Sequence, residues 1–308
     1  MEPPAAEPLN IDASLLRRAA LEAAGRQHHP GATLYVLATP IGNLADLTLR
    51  AIHLLGRIDA LACEDTRVSA QLLHHLGLEK PLIALHAHNE QQAAAAVVER
   101  LARGEAVGYV SDAGTPAISD PGAALVATVA AAGYRVVPLP GASSATAALS
   151  VAGDTLGHGF RFVGFLPAKG GERRDALAAC LADSATLVLF EAPHRIEALA
   201  AALAADAPGR RVTLCRELSK QFETIVTLAA AELPGWLAAD ANRERGEFVL
   251  VLHALPAAAP DALPAAALRT LAVLLRELPL KQAVALASEI SGAPRNALYE
   301  HALATRAP

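Results

Sequence analysis

The sequence contains little cysteine, few aromatic residues and no long apolar run. Only three of its 308 residues are cysteines, and Cys63, Cys180 and Cys215 lie too far apart to predict a disulfide framework or a zinc site. We therefore expect three buried thiols, as is usual in a reducing compartment. No apolar stretch approaches the ~20 residues of a membrane span, and the opening Met1-Glu-Pro-Pro4 lacks the basic-then-apolar order of a signal peptide. These absences favour a cytoplasmic protein.

Several common ligand signatures are missing as well. The first predicted strand is followed neither by Gly-x-x-x-x-Gly-Lys-Ser/Thr nor by Gly-x-Gly-x-x-Gly, so we expect neither a nucleoside triphosphate nor a Rossmann-bound dinucleotide. The histidines show no metal-ligand spacing, and we predict no metal. The formal net charge of -5 argues against a non-specific nucleic-acid binder. It still permits a nucleic-acid enzyme with a local basic patch.

Short apolar runs alternate with helical patterns from residue 33 onward. This order predicts an N-terminal α/β domain over residues 33–142, with a largely parallel sheet. A C-terminal α/β domain is expected over residues 143–254. Its sheet should be mixed, because the apolar runs at 212–216 and 223–228 are close enough to form a meander.

The remaining segments lie at the ends of these two domains. Residues 1–32 lack a sustained strand pattern and are predicted to be a flexible N-terminal extension. Residues 255–264 form a proline-punctuated linker, and residues 265–308 a helical tail of three short helices. Two of these helices resemble a helix-turn-helix that contacts RNA. A helical hairpin packed on the second domain explains the same pattern.

The most informative stretch is 111–122, Ser-Asp-Ala-Gly-Thr-Pro-Ala-Ile-Ser-Asp-Pro-Gly. It follows a predicted strand and contains two glycines, two prolines and two aspartates, and open α/β sheets bind ligands at the carboxyl ends of strands. Two more glycine-bearing loops, 39–43 and 140–144, follow strands of the same predicted sheet. Together the three loops predict an edge of exposed N–H and C=O groups. Such an edge suits a small cationic or zwitterionic ligand, for example a sulfonium.

Charged residues also follow the predicted strands. Glu64-Asp-Thr-Arg67 is either a helix cap with a solvated ion pair or a polar cluster that activates a substrate hydroxyl. In the second half, basic residues gather at strand ends near Lys169, in Glu191-Ala-Pro-His-Arg195 and in Arg216-Glu-Leu-Ser-Lys220. These clusters make the strand ends of both predicted sheets the candidate site.

Nine segments, in this order, resemble the tetrapyrrole methylase superfamily, and within it the branch that methylates ribosomal RNA. The resemblance covers nearly all of residues 33–253 and continues into the tail. The segments are Thr39-Pro-Ile-Gly-Asn-Leu44, Glu64-Asp-Thr-Arg67, Leu85-His-Ala-His-Asn-Glu-Gln91, 111–122, Val137-Pro-Leu-Pro-Gly141, Gly164-Phe-Leu-Pro-Ala-Lys169, Glu191-Ala-Pro-His-Arg195, Arg216-Glu-Leu-Ser-Lys220 and Leu278-Pro-Leu-Lys-Gln282.

This resemblance implies a fold, a cofactor and a substrate. The fold is two α/β domains of tetrapyrrole methylase type with a small C-terminal helical region, in a homodimer. S-adenosylmethionine lies in the cleft between the domains, and the substrate is the ribose 2'-oxygen of a cytidine in the decoding region of 16S rRNA. The implied cofactor-binding residues are Pro40, Gly42, Asn43, Asp112, Ala113, Gly114, Thr115, Pro116, Pro140, Gly141, Ala142, Ser143, Ser144, Phe190, Glu191, Arg216 and Glu217.

The implied chemistry needs a base and a phosphate-binding surface. A ribose hydroxyl is a poor nucleophile until its proton is removed or shared. The sequence leaves the base open among four candidates, which are Glu64, Asp65, His194 and Lys220. Arg67, Lys169 and Arg195 are expected to bind RNA phosphates, which makes affinity salt-dependent. The target nucleotide must leave its stack to enter the cleft.

Two other functions fit parts of the sequence. One is a tetrapyrrole C-methyltransferase on the same fold, which the tail and the low aromatic content of 4% disfavour. The other is a non-enzymatic rRNA-binding assembly factor, which need not bind S-adenosylmethionine. The chain also departs slightly from its relatives, with Ala142-Ser143 where many have Pro-Cys and Glu191-Ala-Pro-His194 where some have Glu-Ser-Thr-His.

Overall fold

A computed structural model describes residues 12–86, 88–256 and 263–305. The chain divides into two compact units, residues 1–255 and residues 256–308. Within the described ranges, no helix combines the length and apolar character that a membrane crossing requires.

The first half of the larger unit alternates helices with five strands. A buried strand needs an apolar run, and each predicted run between residues 33 and 142 forms one. The elements are α1 Ala13–Ala24, β1 Thr33–Leu37, α2 Leu49–Arg57, β2 Ala60–Cys63, α3 Thr66–His75, β3 Leu82–Ala84, α4 Glu90–Ala102, β4 Ala106–Val110, α5 Ala123–Ala131 and β5 Arg135–Leu139.

All five strands are parallel, in the order β3-β2-β4-β1-β5. Helices cover both faces, so the central strands are buried on both sides, as is typical of parallel sheets. Leu37, Leu55 and Leu61 belong to the core on one face, while Leu34 and Val107 belong to the core on the other. The prediction of a parallel sheet is confirmed. Its geometry brings the loops after β1, β4 and β5 to one edge.

Part of the predicted flexible N-terminal extension forms helix α1. Residues 1–11 lie outside the described residues, but from Asp12 the predicted flexible extension is an ordered helix packed on α2. The Asp12 carboxylate accepts from the backbone N–H of Ser14 at 2.8 Å, which caps the helix. Ala20 is fully buried, and Arg17 donates to the carbonyl of Leu76 at 3.1 Å. Small residues on one face thus let this helix dock closely.

The second half of the larger unit forms a mixed sheet in the order β6-β7-β10-β8-β9. Only β6 and β7 run parallel among these neighbours, and β8 and β9 form the predicted antiparallel meander. The elements are α6 Ser144–Ala152, β6 Phe160–Phe165, α7 Gly170–Ala182, β7 Thr186–Glu191, α8 Ile196–Asp206, β8 Arg211–Arg216, β9 Thr224–Ala229, α9 Leu233–Ala238 and β10 Phe248–Leu252.

Both faces of this sheet are covered as well. Leu189 and Leu214 pack under α7 and α8 on one face, while Val188 and Val251 pack under α6 on the other. The three cysteines are free and buried, as expected.

The described part of the smaller unit, residues 263–305, contains three helices, as the tail pattern predicts. They are α10 Ala265–Glu277, α11 Leu280–Ser291 and α12 Arg295–Ala304. Prolines precede each helix, and Gly292 ends α11 with φ of 69°, a left-handed conformation that glycine adopts at little cost. Leu271, Val284 and Leu298 form its core. Most of the predicted linker 255–264 lies outside the described residues.

Candidate functional site

The three predicted ligand loops are held together by hydrogen bonds. The N–H of Thr39 donates to the carbonyl of Gly114 at 2.9 Å, and the N–H of Gly114 donates back to the carbonyl of Thr39 at 3.1 Å. The Thr115 hydroxyl donates to the carbonyl of Ala142 at 3.0 Å. The loops after β1, β4 and β5 therefore form one continuous surface at the carboxyl edge of the parallel sheet.

This surface faces a loop of the mixed sheet. Gly42, with φ of 150°, lies so close to Lys220 that a Cβ would come within 2.4 Å of the lysine Cγ. Only glycine fits such an approach without displacing the neighbouring side chain. The loop after β1 and the loop after β8 thus meet at Gly42, and a cleft opens between the two sheets.

The first cavity in this cleft has a volume of about 390 Å³, within the range of small-ligand sites. Loop 111–122 and the start of α6 supply one side, and the carboxyl ends of β6 and β7 with the start of β10 supply the other. Its lining is Ile41, Ala113, Gly114, Thr115, Ile118, Ser119, Asp120, Ser143, Ser144, Ala145, Phe165, Phe190, Glu191, Ala192, Pro193, Leu218, Glu247, Phe248 and Val249.

A second cavity of about 380 Å³ adjoins the first. The two share the lining residues Ile41, Ala113 and Glu247. The second cavity is also lined by Thr39, Pro40, Gly42, Leu44, Val68, Ser69, Gln71, Leu72, His75, Ser111, Asp112 and Lys220. A ligand in one cavity therefore lies beside a ligand in the other, at the shared wall.

The loop after β8 adopts an uncommon backbone at this wall. Glu217 has φ of 52° and Ser219 has φ of 63°, both in the left-handed region that non-glycine residues seldom occupy. Between them, Leu218 lines the first cavity. Strain of this kind costs of order 1–3 kcal/mol per residue and clusters at functional sites. Ala117 in loop 111–122, with φ of 62°, is a third example.

Lys220 is held between two carboxylates. Its ammonium lies 2.8 Å from Glu217 Oε1 and 3.1 Å from Glu247 Oε2. Burial alone would lower the pKa of Lys220, but its hydrogen bonds to the two carboxylates outweigh burial and raise it. Burial would raise the pKa of Glu217, but the hydrogen bond from Lys220 acts in the other direction. The pKa of Glu217 is lowered overall. The lysine is therefore a fixed positive charge, and the Glu247 side chain, 78% exposed, remains open to the cavities.

Carboxylates gather in and beside the loop after β4. Burial raises the pKa of Glu64, and the charges of Asp112 and Asp120 raise it further. Burial also raises the pKa of Asp120, with a further contribution from Asp112. Asp120 lines the first cavity and Asp112 the second. The resulting negative potential favours a cationic ligand in this part of the cleft.

The predicted base candidates lie in different places. Lys220 lines the second cavity, whereas Glu64 is half-buried and lines neither cavity. Asp65 caps α3 and pairs with Arg67 at 2.6 Å; this hydrogen bond to Arg67 lowers the pKa of Asp65 to about 2. His194 is exposed in the turn after β7 and belongs to neither lining described above.

The predicted RNA-binding residues differ in how freely they can bind phosphate. Lys169 is exposed just before α7, and the Arg67 side chain is 87% exposed despite its pairing with Asp65. Arg195, by contrast, pairs with the buried carboxylate of Glu191 at 2.9 Å and donates to the carbonyl of Leu166 at 2.7 Å. Those contacts fix the turn after β7 beside the first cavity.

Some of the predicted cofactor-binding residues line the first cavity, some line the second, and others line neither. Ala113, Gly114, Thr115, Ser143, Ser144, Phe190 and Glu191 line the first cavity, while Pro40, Gly42 and Asp112 line the second. Gly141 and Ala142 line a third cavity. Arg216 is largely buried and donates to the carbonyls of Arg245 and Phe222. The residues outside the linings of the first two cavities are Asn43, Pro116, Pro140, Gly141, Ala142, Arg216 and Glu217.

Sequence reasoning missed several lining residues. Ile41 and Ile118 lie inside the predicted loops, but an apolar side chain in a loop gives no sequence signal for a ligand site. Leu218 and Glu247 come from the mixed sheet, and only its strand order brings β10 and the end of β8 together at the cleft. A weak signal was available for Glu247, because it directly precedes an apolar strand.

Comparison with known proteins gives two family matches and a set of close relatives. Residues 33–234 match the family described as Tetrapyrrole (Corrin/Porphyrin) Methylases, and residues 261–306 match the RsmI C-terminal HTH domain. The chain is 50% identical over 271 residues to Ribosomal RNA small subunit methyltransferase I of Escherichia coli O157:H7, covering 88% of this chain and 94% of that protein. The Pseudomonas aeruginosa protein of the same name is 49% identical, with coverage of 88% and 96%.

Solved structures with a similar fold are more distant in sequence. Uroporphyrin-III C-methyltransferase of Thermus thermophilus, complexed with S-adenosyl homocysteine, has a TM-score of 0.51 and 20% identity, covering 72% of this chain and 96% of that one. A cobalt precorrin-4 methyltransferase has a TM-score of 0.52 and 17% identity, covering 71% of this chain and 94% of that one. At this level of sequence identity, the similarity shows only a shared fold.

Proposed function

The chain belongs to the tetrapyrrole methylase family, and we propose that it transfers a methyl group from S-adenosylmethionine to the ribose 2'-oxygen of a cytidine in the decoding region of 16S rRNA. The observation that carries this proposal is the 50% identity, over 88% of the chain, to a small-subunit ribosomal RNA methyltransferase. The match of residues 261–306 to a domain named for the same enzyme supports it.

The first cavity suits S-adenosylmethionine. Ile41, Ile118, Phe165 and Leu218 offer apolar surface for the adenosine, and the Asp120 carboxylate complements a cationic ligand. Gly114, with φ of 82°, lets the backbone of its loop approach a ligand closely. The cofactor supplies a methyl group on a sulfonium, which a ribose oxygen attacks in line. We propose that these residues, with Ser143 and Glu191, hold it.

Glu247, at the shared wall, and Lys220, which pairs with it, have different proposed roles in catalysis. A base must take the proton of the ribose hydroxyl, and Lys220 is held protonated by its two carboxylate partners. The exposed carboxylate of Glu247 reaches both cavities and is the proposed proton acceptor. Lys220 then orients that carboxylate and balances its charge. Among the earlier candidates, Asp65 is committed to capping α3 and pairing with Arg67.

The proposal extends to the partners and the organisation of the chain. Lys169 and Arg67 are its phosphate contacts, because both side chains are exposed. We also propose that the protein is a homodimer, as the family resemblance implies, and that it is cytoplasmic, as its ribosomal substrate implies. The two sheets correspond to proposed domains over residues 33–142 and 143–254.

The proposal is tested by incubating the protein with small ribosomal subunits that lack the modification, in the presence of labelled S-adenosylmethionine. Nucleoside mass spectrometry identifies the product, and 2'-O-methylcytidine at one position is expected. Cofactor affinity is measured in parallel by calorimetry. Cofactor binding without RNA methylation would contradict the proposed substrate, and absence of cofactor binding would instead favour a non-enzymatic assembly factor.

A further inference from the structure

One face of α3 forms a wall of the second cavity. Val68, Gln71, Leu72 and His75 follow the spacing of residues on one helix face and all line this cavity. A helix normally packs such a stripe against a core. Here Val68 is 40% exposed, and Gln71 and His75 are exposed. These four residues, named the α3 wall, carry two apolar side chains and two side chains with hydrogen-bonding groups.

The second cavity also has charged lining residues. Asp112 and Lys220 belong to its lining, and Glu247 lies at the wall shared with the first cavity. One oxygen of Asp112 already accepts from the backbone N–H of Asp65 at 3.0 Å. The Asp112 and Glu247 carboxylates repel phosphate, so the phosphates of a bound RNA are expected to stay outside. The part of a nucleotide that fits inside is the uncharged base with its ribose.

We infer that the second cavity receives the target nucleotide, and that Gln71 and His75 read the hydrogen-bonding edge of its base. This inference rests on the proposed function. A ribose near Glu247 lies at the wall shared with the first cavity, and its base then extends toward the α3 wall. Val68 and Leu72 supply apolar contact for the base. Cytosine presents an amino donor beside ring acceptors, and a glutamine amide can accept from the one and donate to the other.

The first test compares Gln71→Ala with Gln92→Ala, an exposed glutamine on α4 outside the cavity linings. The substrates are small subunits with either cytidine or uridine at the methylated position. Gln71→Ala is expected to lower kcat/KM for the cytidine substrate about tenfold, mainly by raising KM. The ratio of kcat/KM for the cytidine substrate to that for the uridine substrate is expected to fall as well. Gln92→Ala should match the wild type. An unchanged preference and KM in Gln71→Ala would overturn the role of Gln71.

Histidine offers a second matched pair on the same helix. His75→Ala removes a cavity residue, whereas His74→Ala removes an exposed neighbour outside the lining. We expect His75→Ala to raise KM for the subunit several-fold, and His74→Ala to leave it unchanged. Equal effects of the two substitutions would contradict a role for His75 in base recognition.

Filling the cavity tests its occupant independently of any hydrogen bond. Val68→Trp places a large side chain at an exposed position of α3, so the fold should tolerate it. It should abolish methylation, while S-adenosylmethionine affinity by calorimetry stays near that of the wild type. Full activity in Val68→Trp would mean that the RNA does not enter here. If the wild type itself forms no 2'-O-methylcytidine, the proposed function fails instead, so the two failures are distinguishable.

Discussion

At the residue scale, the site depends on side chains whose neighbours the chain order does not place together. Glu247 precedes β10, and Lys220 follows β8, yet their charged groups lie 3.1 Å apart. Glu217 and Ser219 carry the uncommon backbone that presents Leu218 to the first cavity. In the loop after β8, Glu217 and Ser219 thus set the backbone, Leu218 lines the first cavity and Lys220 pairs with Glu247.

Replacement of the proposed proton acceptor gives a direct prediction. Glu247→Gln keeps the shape of the side chain but removes its basicity, so kcat is expected to fall about a hundredfold. Single-turnover methylation measures the chemical step, and calorimetry checks that cofactor affinity changes little. Glu172→Gln, at an exposed position of α7, is the control and should behave as the wild type. A Glu247→Gln enzyme with full kcat would remove the carboxylate from proton transfer.

Gly42 gives a second prediction at this scale. In Gly42→Ala the new Cβ would lie 2.4 Å from Lys220 Cγ, at a backbone φ of 150°. The lysine must move, so its pairing with Glu247 is expected to break and kcat/KM to fall at least about tenfold. Gly56→Ala in α2 is the matched control, because nothing lies within 4 Å of its added Cβ. Should both variants keep wild-type kcat/KM, the close approach at Gly42 has no catalytic importance.

At the element scale, local patterns predicted most of the secondary structure. The apolar run before loop 111–122 forms the strand Ala106–Val110, and the last helix of the tail, Arg295–Ala304, begins directly after Pro294. The docking of α1 was not predicted, since two buried alanines on a short helix give a weak periodic signal. The loop at 111–122 was predicted as a ligand site from its glycines and prolines. Leu218 and Glu247 were not, because their place depends on long-range strand order.

A buried arginine links several elements of the mixed sheet. Arg210, just before β8, donates to the carbonyls of His253 at 3.0 Å, Asp183 at 3.0 Å and Ala185 at 3.0 Å. Arg210→Ala leaves these carbonyls without a donor, so we expect the free energy of unfolding to fall by about 3 kcal/mol. Denaturant titration measures it, with exposed Arg211→Ala as the neighbouring control. Equal stability of the two variants would show that water replaces the guanidinium.

At the scale of the whole molecule, the free energy of unfolding depends on the protonation of three histidines, which lie before β1, in α2 and after β10. Burial lowers the pKa of His53, packed in α2, and of His253, beyond the end of β10. Burial and the neighbouring charge of His53 lower the pKa of His29. His253 contacts the Thr213 hydroxyl at 2.8 Å and faces Asp154, which partly opposes the shift.

The sign of the pH dependence follows from these shifts. A histidine with a folded pKa below its usual value of 6.5 takes up its proton more readily when unfolded, so the unfolded state binds more protons as pH falls. The melting temperature is therefore expected to drop as pH falls through 6.5, the usual histidine pKa, toward the lowered pKa values of the folded state. His253→Gln, which can retain a hydrogen bond to Thr213, should flatten part of that drop. The pH series is recorded by calorimetry for both proteins. Parallel curves would mean that His253 is protonated as easily in the folded chain as in the unfolded one, and that Asp154 outweighs burial there.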